Sequence, residues 1–325
     1  MRTRKHANFA IFSRVIRMPN KPEQSGKHSP RQNHLLAALP AADYERLLPA
    51  LELVPMPLGW TVHEACGPLR YAYFPTTSIV SLLHTLEDGA SAETAVTGFD
   101  GLVGIPLVLG GDSMPSRAVV QSSGFGYRLG ASVLKREFKL NGEFARLLLR
   151  CTQALITQVA QTAVCYRFHA IDQRLCRWLL SSLDRLPTNQ LTVTQDMMAN
   201  MLGVRREGVT GAARHLQEAG IISYSRGHIT VLDRPKLEDQ VCECYAVVKK
   251  ELDRLWSADL LNSSEIHPVI RHAKGFIPEH AQAFQGLDAA VCAPLSPLRQ
   301  ARPEPGNRAS THAKHTLVSP LAYES

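Results

Sequence analysis

Arg205, Arg206 and Glu207 set two guanidinium groups and a carboxylate side by side, with a hydroxyl at Thr210 one helical turn further on. At the N-terminal end of an exposed helix such groups reach base edges and phosphates, and that is where a recognition helix makes its contacts. A helix over about 205–218 would carry them. Val209, Ala212, Ala213 and Leu216 recur at spacings of three and four and give it one apolar inner face. A shorter helix over about 195–202 precedes it, turning Met198, Ala199 and Leu202 towards a core, and Gly203 supplies the tight turn between the two. Gly220 ends the second helix. Residues 221–225 and 228–232 then read as a hairpin around Arg226-Gly227, a wing. The competing reading is a helical hairpin buried in a larger core with its charges merely solvated. The agreement of helix, glycine turn, basic-acidic start, second helix and tight hairpin favours the winged helix-turn-helix.

Composition constrains the rest of the chain. At 325 residues and 45% hydrophobic it can form two domains with a buried core, and it has no run of 18 apolar residues that would span a bilayer. No membrane partner is therefore expected. The formal charge of +7 is concentrated at one end: residues 1–31 hold eight Lys/Arg against Glu23 alone, so the folded part is close to neutral. Any nucleic-acid contact must come from the local arrangement around 205–228 rather than from overall charge. Residues 1–17 form a basic, partly apolar arm, too short and broken for a signal peptide, and Met18 offers an alternative start.

The elements expected along the chain are a flexible extension (1–32), a β domain (33–135), a long helix (136–168), the helix-turn-helix domain (169–235), a C-terminal helix (236–257) and a disordered tail (258–325). Residues 33–50 read as a short helix pair. From Leu53 to Gly130, short apolar runs at Val62, 71–74, 79–83, 94–96, 102–105, 118–121 and 127–129 alternate with Gly/Pro turns, the texture of an antiparallel sandwich or jelly roll. A helical pattern over about 132–165 is broken only by Gly142. One stripe (Phe144, Leu148, Cys151, Leu155, Gln158, Thr162) would pack on the β domain. The other (Leu149, Thr152, Ile156, Val159, Ala163, Tyr166) would pair with a second chain. A further helix carries Ile171, Leu175, Trp178, Leu179 and Leu183, and a last one covers about 236–256. The fold class is α+β.

Other chemistries find little support. The seven cysteines are scattered and read as buried, reduced thiols of a cytoplasmic protein. Cys242-Glu243-Cys244 is the only close pair and has no second cysteine pair or His-x-His nearby, so no metal site is expected. A cupin-type metal enzyme needs a His-x-His pair followed by Glu, which His63-Glu64 and His84 do not provide. Nucleophile-elbow, P-loop and dinucleotide signatures are absent from the sequence, so no catalytic residues are assigned and no enzyme is expected. A non-DNA-binding interaction module remains the other alternative.

The order β jelly roll, long helix, winged helix-turn-helix resembles the Crp–Fnr family of bacterial transcription regulators over about 33–235. Arg206-Glu207-Gly208-Val209 matches the family's Arg-Glu-x-Val, and Ile171-Asp172-Gln173-Arg174-Leu175 and the Leu-Gly turn also fit. The resemblance implies a homodimer on palindromic double-stranded DNA, with RNA polymerase as a further partner. It implies base reading by Arg206 and Glu207, with Thr210 beside them: arginine is bidentate to guanine O6/N7, and glutamate accepts from cytosine N4. Thr194, Arg205, Arg214, Arg226 and His228 are assigned to phosphates, which fix register without reading sequence. The family's second arginine, four residues after the glutamate, is replaced by Gly211, and Gly208 and Gly211 each cost the helix about 1 kcal/mol against alanine. The effector pocket implied by the resemblance comprises Gly101, Leu102, Gly104, Arg117 and Ala118. Leu102 stands where a ribose-binding carboxylate belongs and Ala118 where a hydroxyl belongs, so cAMP is not the expected effector and no cofactor is assigned. Cys66 is the only cysteine before residue 150, which excludes an N-terminal iron–sulfur cluster. His63, His84 and Cys66 are the residues left as haem ligands, each better read as an ordinary turn or core residue.

Overall fold

Short apolar runs between Gly/Pro turns cannot form amphipathic helices, and they fold as strands. The computed structural model describes residues 28–256, so the basic arm, most of the linker before Pro30 and the tail from 258 lie outside the described residues. Helices α1 (His34–Ala37) and α2 (Ala41–Leu47) lead into β1 (Glu52–Met56), β2 (Thr61–His63), β3 (Tyr71–Pro75), β4 (Ile79–Thr85) and β5 (Ser91–Thr97). A short helix α3 (Pro106–Leu109) precedes β6 (Arg117–Ser122) and β7 (Gly124–Gly130). The strands pair antiparallel in two sheets, ordered β1-β7-β3 and β2-β6-β4-β5. Val54, Met56, Tyr73, Val80, Leu82 and Val120 form the core they share. The run 102–105, expected as a strand, is not one. Val103 makes a single bridge to Tyr73, and Gly104 then takes φ +118 to bring its backbone against Ala72.

The helical pattern over 132–165 is two helices, α4 (Ala131–Lys139) and α5 (Glu143–Phe168). The break falls at Leu140-Asn141-Gly142, where Asn141 adopts φ +54 just past the α4 C-cap, a position at which Asn is the usual substitute for Gly. The inward stripe of α5 behaves as its spacing predicts. Phe144 and Leu148 join Leu35, Leu36, Phe74 and Leu134 in a second core, each such burial stabilising by roughly 1.5–3 kcal/mol.

Beyond α5 come α6 (Ile171–Leu183), β8 (Gln190–Thr192), α7 (Gln195–Leu202), α8 (Arg206–Glu218), β9 (Ile222–Ser225) and β10 (His228–Val231). The wing is three-stranded, ordered β8-β10-β9, because β8 adds to the expected hairpin. The expected C-terminal helix is interrupted between α9 (Arg234–Gln240) and α10 (Cys244–Leu255), with Val241 extended. A third core unites α6, α7, α8 and the wing, and it takes in Leu83 of β4 and Val119 of β6. Among the described residues, no helix is long and apolar enough to cross a membrane.

Candidate nucleic-acid interface

Two backbone devices hold the reading helix in place. Thr194 caps α7 by accepting from the Met197 amide, and Gly203 closes α7 at φ +60, ψ +41 with its N–H shared between the Ala199 and Asn200 carbonyls. The chain then turns through Val204 and Arg205 into α8, whose inner face buries Val209, Ala212, Ala213 and Leu216, the four residues expected from the spacing. The wing turn places Arg226 and Gly227 at φ +51 and +80, the two successive positive φ values of a hairpin turn that matches strand twist.

Arg205, Arg206, Glu207, Thr210 and Arg214 all lie on the exposed face of α8, and Arg226 and His228 are exposed on the wing. Arg206 is held loosely from α7: its Nε donates to Gln195 Oε1 at 3.3 Å, and its Nη1 lies 3.5 Å from Asp196 Oδ1. Thr210 Oγ1 donates within the same group, to Gln195 Oε1 at 3.1 Å and the Arg206 carbonyl at 2.9 Å. Gln195 therefore orients two of the three residues assigned to base reading, a role the sequence pattern did not suggest. Arg214 pairs with Glu218 at 2.6 Å, and His228 Nδ1 lies 3.3 Å from Thr192 Oγ1. The Thr194 hydroxyl serves α7 as its cap, so its phosphate role would have to share that group.

The two glycines of α8 are not equivalent. A β-carbon at Gly208 would sit 2.9 Å from Ile171 Cδ1, whereas one at Gly211 meets nothing within 4 Å. The close approach of α6 accounts for Gly208. Nothing in the structure accounts for Gly211. Gly211→Ala is expected to stabilise by about 0.5–1 kcal/mol, and Gly208→Ala by less because the Ile171 side chain must move. Thermal unfolding of the two variants checks this, and a larger gain at Gly208 would contradict it.

The residues of the expected effector pocket lie in different surroundings. Leu102 is buried in the core beside α5, and Ala118 in the core between the sheets. Gly104 is committed to its contact with Ala72. Arg117 Nη2 donates to Thr61 Oγ1 at 3.0 Å, and its Nε lies 3.8 Å from Glu64. Gly101 and Leu102 line a small cleft against α5 together with Asp100 and Arg185. There the chain places its own cation: Arg185 meets Asp100 through Nη2 at 2.6 Å and Nε at 3.1 Å, and both side chains are largely buried. This pair links the loop after β5 to the segment after α6, and residues 85 apart in sequence gave no sign of it.

Further contacts join the β domain to the winged helix-turn-helix. The Tyr166 hydroxyl donates towards the Glu93 carbonyl at 3.0 Å and the Met201 carbonyl at 2.8 Å. The Arg174 guanidinium donates to the Leu202 carbonyl and stacks on Tyr166. Burial pushes the Glu93 carboxyl up to about 7, although Ser81, Trp178 and the charges of Arg177 and Arg185 favour its anion.

The expectation that no metal ligands converge rested on Cys242 and Cys244 having no partner nearby in sequence. In the fold they meet Cys165 and His169. The signal was invisible because ligands from two helices separated by the whole winged domain share no local spacing.

A family model for the Crp-like helix-turn-helix domain matches residues 173–240. A transcriptional regulator described as of the crp/fnr family, from Eubacterium rectale, shares the fold with a TM-score of 0.52 at 19% identity, covering 63% of this chain and 96% of that one. FixK2 from Bradyrhizobium japonicum does so with a TM-score of 0.52 at 18% identity, covering 59% of this chain and 98% of that one. No curated protein matches the chain. The chain thus carries a Crp-like helix-turn-helix domain, set on the overall fold of the Crp–Fnr transcription regulators.

Proposed function

We propose that this protein is a dimeric, sequence-specific DNA-binding transcription regulator, not an enzyme, acting in the cytoplasm. The observation that carries the reading is the unobstructed Arg206–Glu207–Thr210 face at the start of α8, with Arg205, Arg214, Arg226 and His228 around it. Arg206 and Glu207 read bases in the major groove, and the surrounding cations contact phosphates. A single helix of this kind reads only a few base pairs, so the reading requires a twofold partner.

The outward stripe of α5 supports that partner. Leu149, Ile156 and Val159 of that stripe are 44%, 63% and 39% exposed, an apolar row at helical spacing, whereas Thr152 is buried and Tyr166 turns inward to the Glu93 and Met201 carbonyls. A second copy laid along it sets two α8 helices into half-sites about one helical turn apart. An effector in the β domain shifts the population between two arrangements of this dimer. Asp100–Arg185 and Tyr166 are the contacts through which such a shift reaches α7 and α8. RNA polymerase is the further partner in this reading.

Ile156→Glu tests the dimer. A charge in the apolar seam is expected to turn the protein monomeric in sedimentation and to abolish binding to a palindrome while leaving the fold intact by circular dichroism. Retention of both dimer and palindrome affinity would contradict the reading.

A further inference from the structure

Cys165 lies in the last turn of α5, His169 is its C-cap, Cys242 sits in the break before α10, and Cys244 is the first residue of α10. One ligand atom from each lies within 4.8 Å of the others. We propose that these four residues form a Cys3His site for a divalent, thiophilic metal ion of the zinc type.

The edges of the cluster fit such an ion. Tetrahedral zinc has Zn–S near 2.3 Å and Zn–N near 2.0–2.1 Å, which puts neighbouring ligands about 3.8 Å apart for two sulfurs and about 3.5 Å for sulfur and nitrogen. Cys165 Sγ and Cys242 Sγ are 3.6 Å apart, and Cys244 Sγ and His169 Nδ1 are 3.5 Å apart. The remaining edges need to contract by at most about 1.3 Å. The outer groups also fit. His169 Nε2 lies 3.3 Å from the Glu243 carboxylate, the arrangement that fixes the tautomer and orientation of a ligating imidazole. The Gln161 amide donates to Cys244 Sγ at 3.1 Å. The three sulfurs are buried yet form a group of their own, outside the three apolar cores, so packing does not explain why they converge.

Binding releases the three thiol protons to solvent. His169 ligates as neutral imidazole through Nδ1, and its Nε2–H donates to Glu243. A dipositive ion with three thiolates leaves one net negative charge. Three cysteines and one histidine fill a tetrahedral shell with no open position, which makes the site structural rather than catalytic. The ion would fasten the end of α5, at the hinge leading into the reader, to the start of α10. The cross-linked sulfurs of Cys165 and Cys242 are 77 residues apart.

The test uses the full chain, reduced and stripped of metal, titrated with cobalt(II). The expected result is one cobalt per chain with the intense visible bands of tetrahedral thiolate coordination, displaced by one equivalent of zinc. Cys165→Ser and Cys242→Ser are expected to lose these bands, whereas Cys176→Ser, a buried cysteine elsewhere, keeps them. Glu243→Gln alters no ligand and reads the site even if the cysteine variants unfold. It is expected to weaken cobalt affinity about 10–100-fold. The proposal is overturned if the reduced native chain shows no tetrahedral cobalt bands. It is overturned equally if the bands persist in Cys165→Ser and Cys242→Ser, or if the chain forms a Cys165–Cys242 disulfide in air and binds no cobalt when reduced.

Discussion

Arg206→Ala is expected to lower affinity for the cognate site by about 5–150-fold per half-site, the 1–3 kcal/mol of one bidentate arginine–guanine contact, and to relax the preference at one base in each half-site. Affinity for random DNA should fall far less. The variant gives up little in the free protein, because the contacts of Arg206 to Gln195 and Asp196 are long and both ionic partners are more than 60% exposed; pairs of this kind are worth about 0–1 kcal/mol. Arg226→Ala is the matching control. It should weaken all sequences together and reduce the salt slope by about one per half-site. Equilibrium binding to cognate and scrambled duplexes at several salt concentrations separates the two. Equal losses on both duplexes for Arg206→Ala would remove it from base reading.

Glu93→Gln is expected to stabilise the protein by roughly 3 kcal/mol above pH 7 and to change little near pH 4.5. The carboxyl titrates at about 7 in the fold because burial disfavours its anion, against 4.5 as its ordinary value. Between those values the unfolded chain has lost the proton and the folded chain keeps it. Native stability therefore falls as pH rises through this window and levels off above it, and each unit of difference costs about 1.4 kcal/mol. Glutamine keeps the shape and cannot ionise, so the fall disappears. Urea unfolding of both proteins from pH 4.5 to 8 makes the comparison. Parallel curves would show that Glu93 is not the group responsible.

The winged helix-turn-helix was legible because its information is local. Gly203, the buried faces of α7 and α8, and Arg226-Gly227 each follow from spacing and backbone chemistry within a few residues. The inward stripe of α5 was legible for the same reason. What escaped depends on distant partners or on competing turns. Gly142 marked the break in the helical pattern, but the division into two helices also needed Asn141 to take a left-handed turn past the end of α4. Strand β8 is three residues long and exists because β10 offers it an edge. Asp100 and Arg185 read as ordinary loop charges until the fold buries them against each other. Cys242 and Cys244 looked unpartnered because their partners lie at the far end of α5. Leu102 and Ala118, both named for the effector pocket by family resemblance, belong to separate cores, a division that spacing does not reveal.

The most direct test of the account is selection of bound DNA from a random pool by the purified full chain, with no ligand added. The expected outcome is an imperfect palindrome with a G and a C placed symmetrically, the half-sites about one helical turn apart. Recovery of no sequence above background in moderate salt, or of a single asymmetric element, would contradict it.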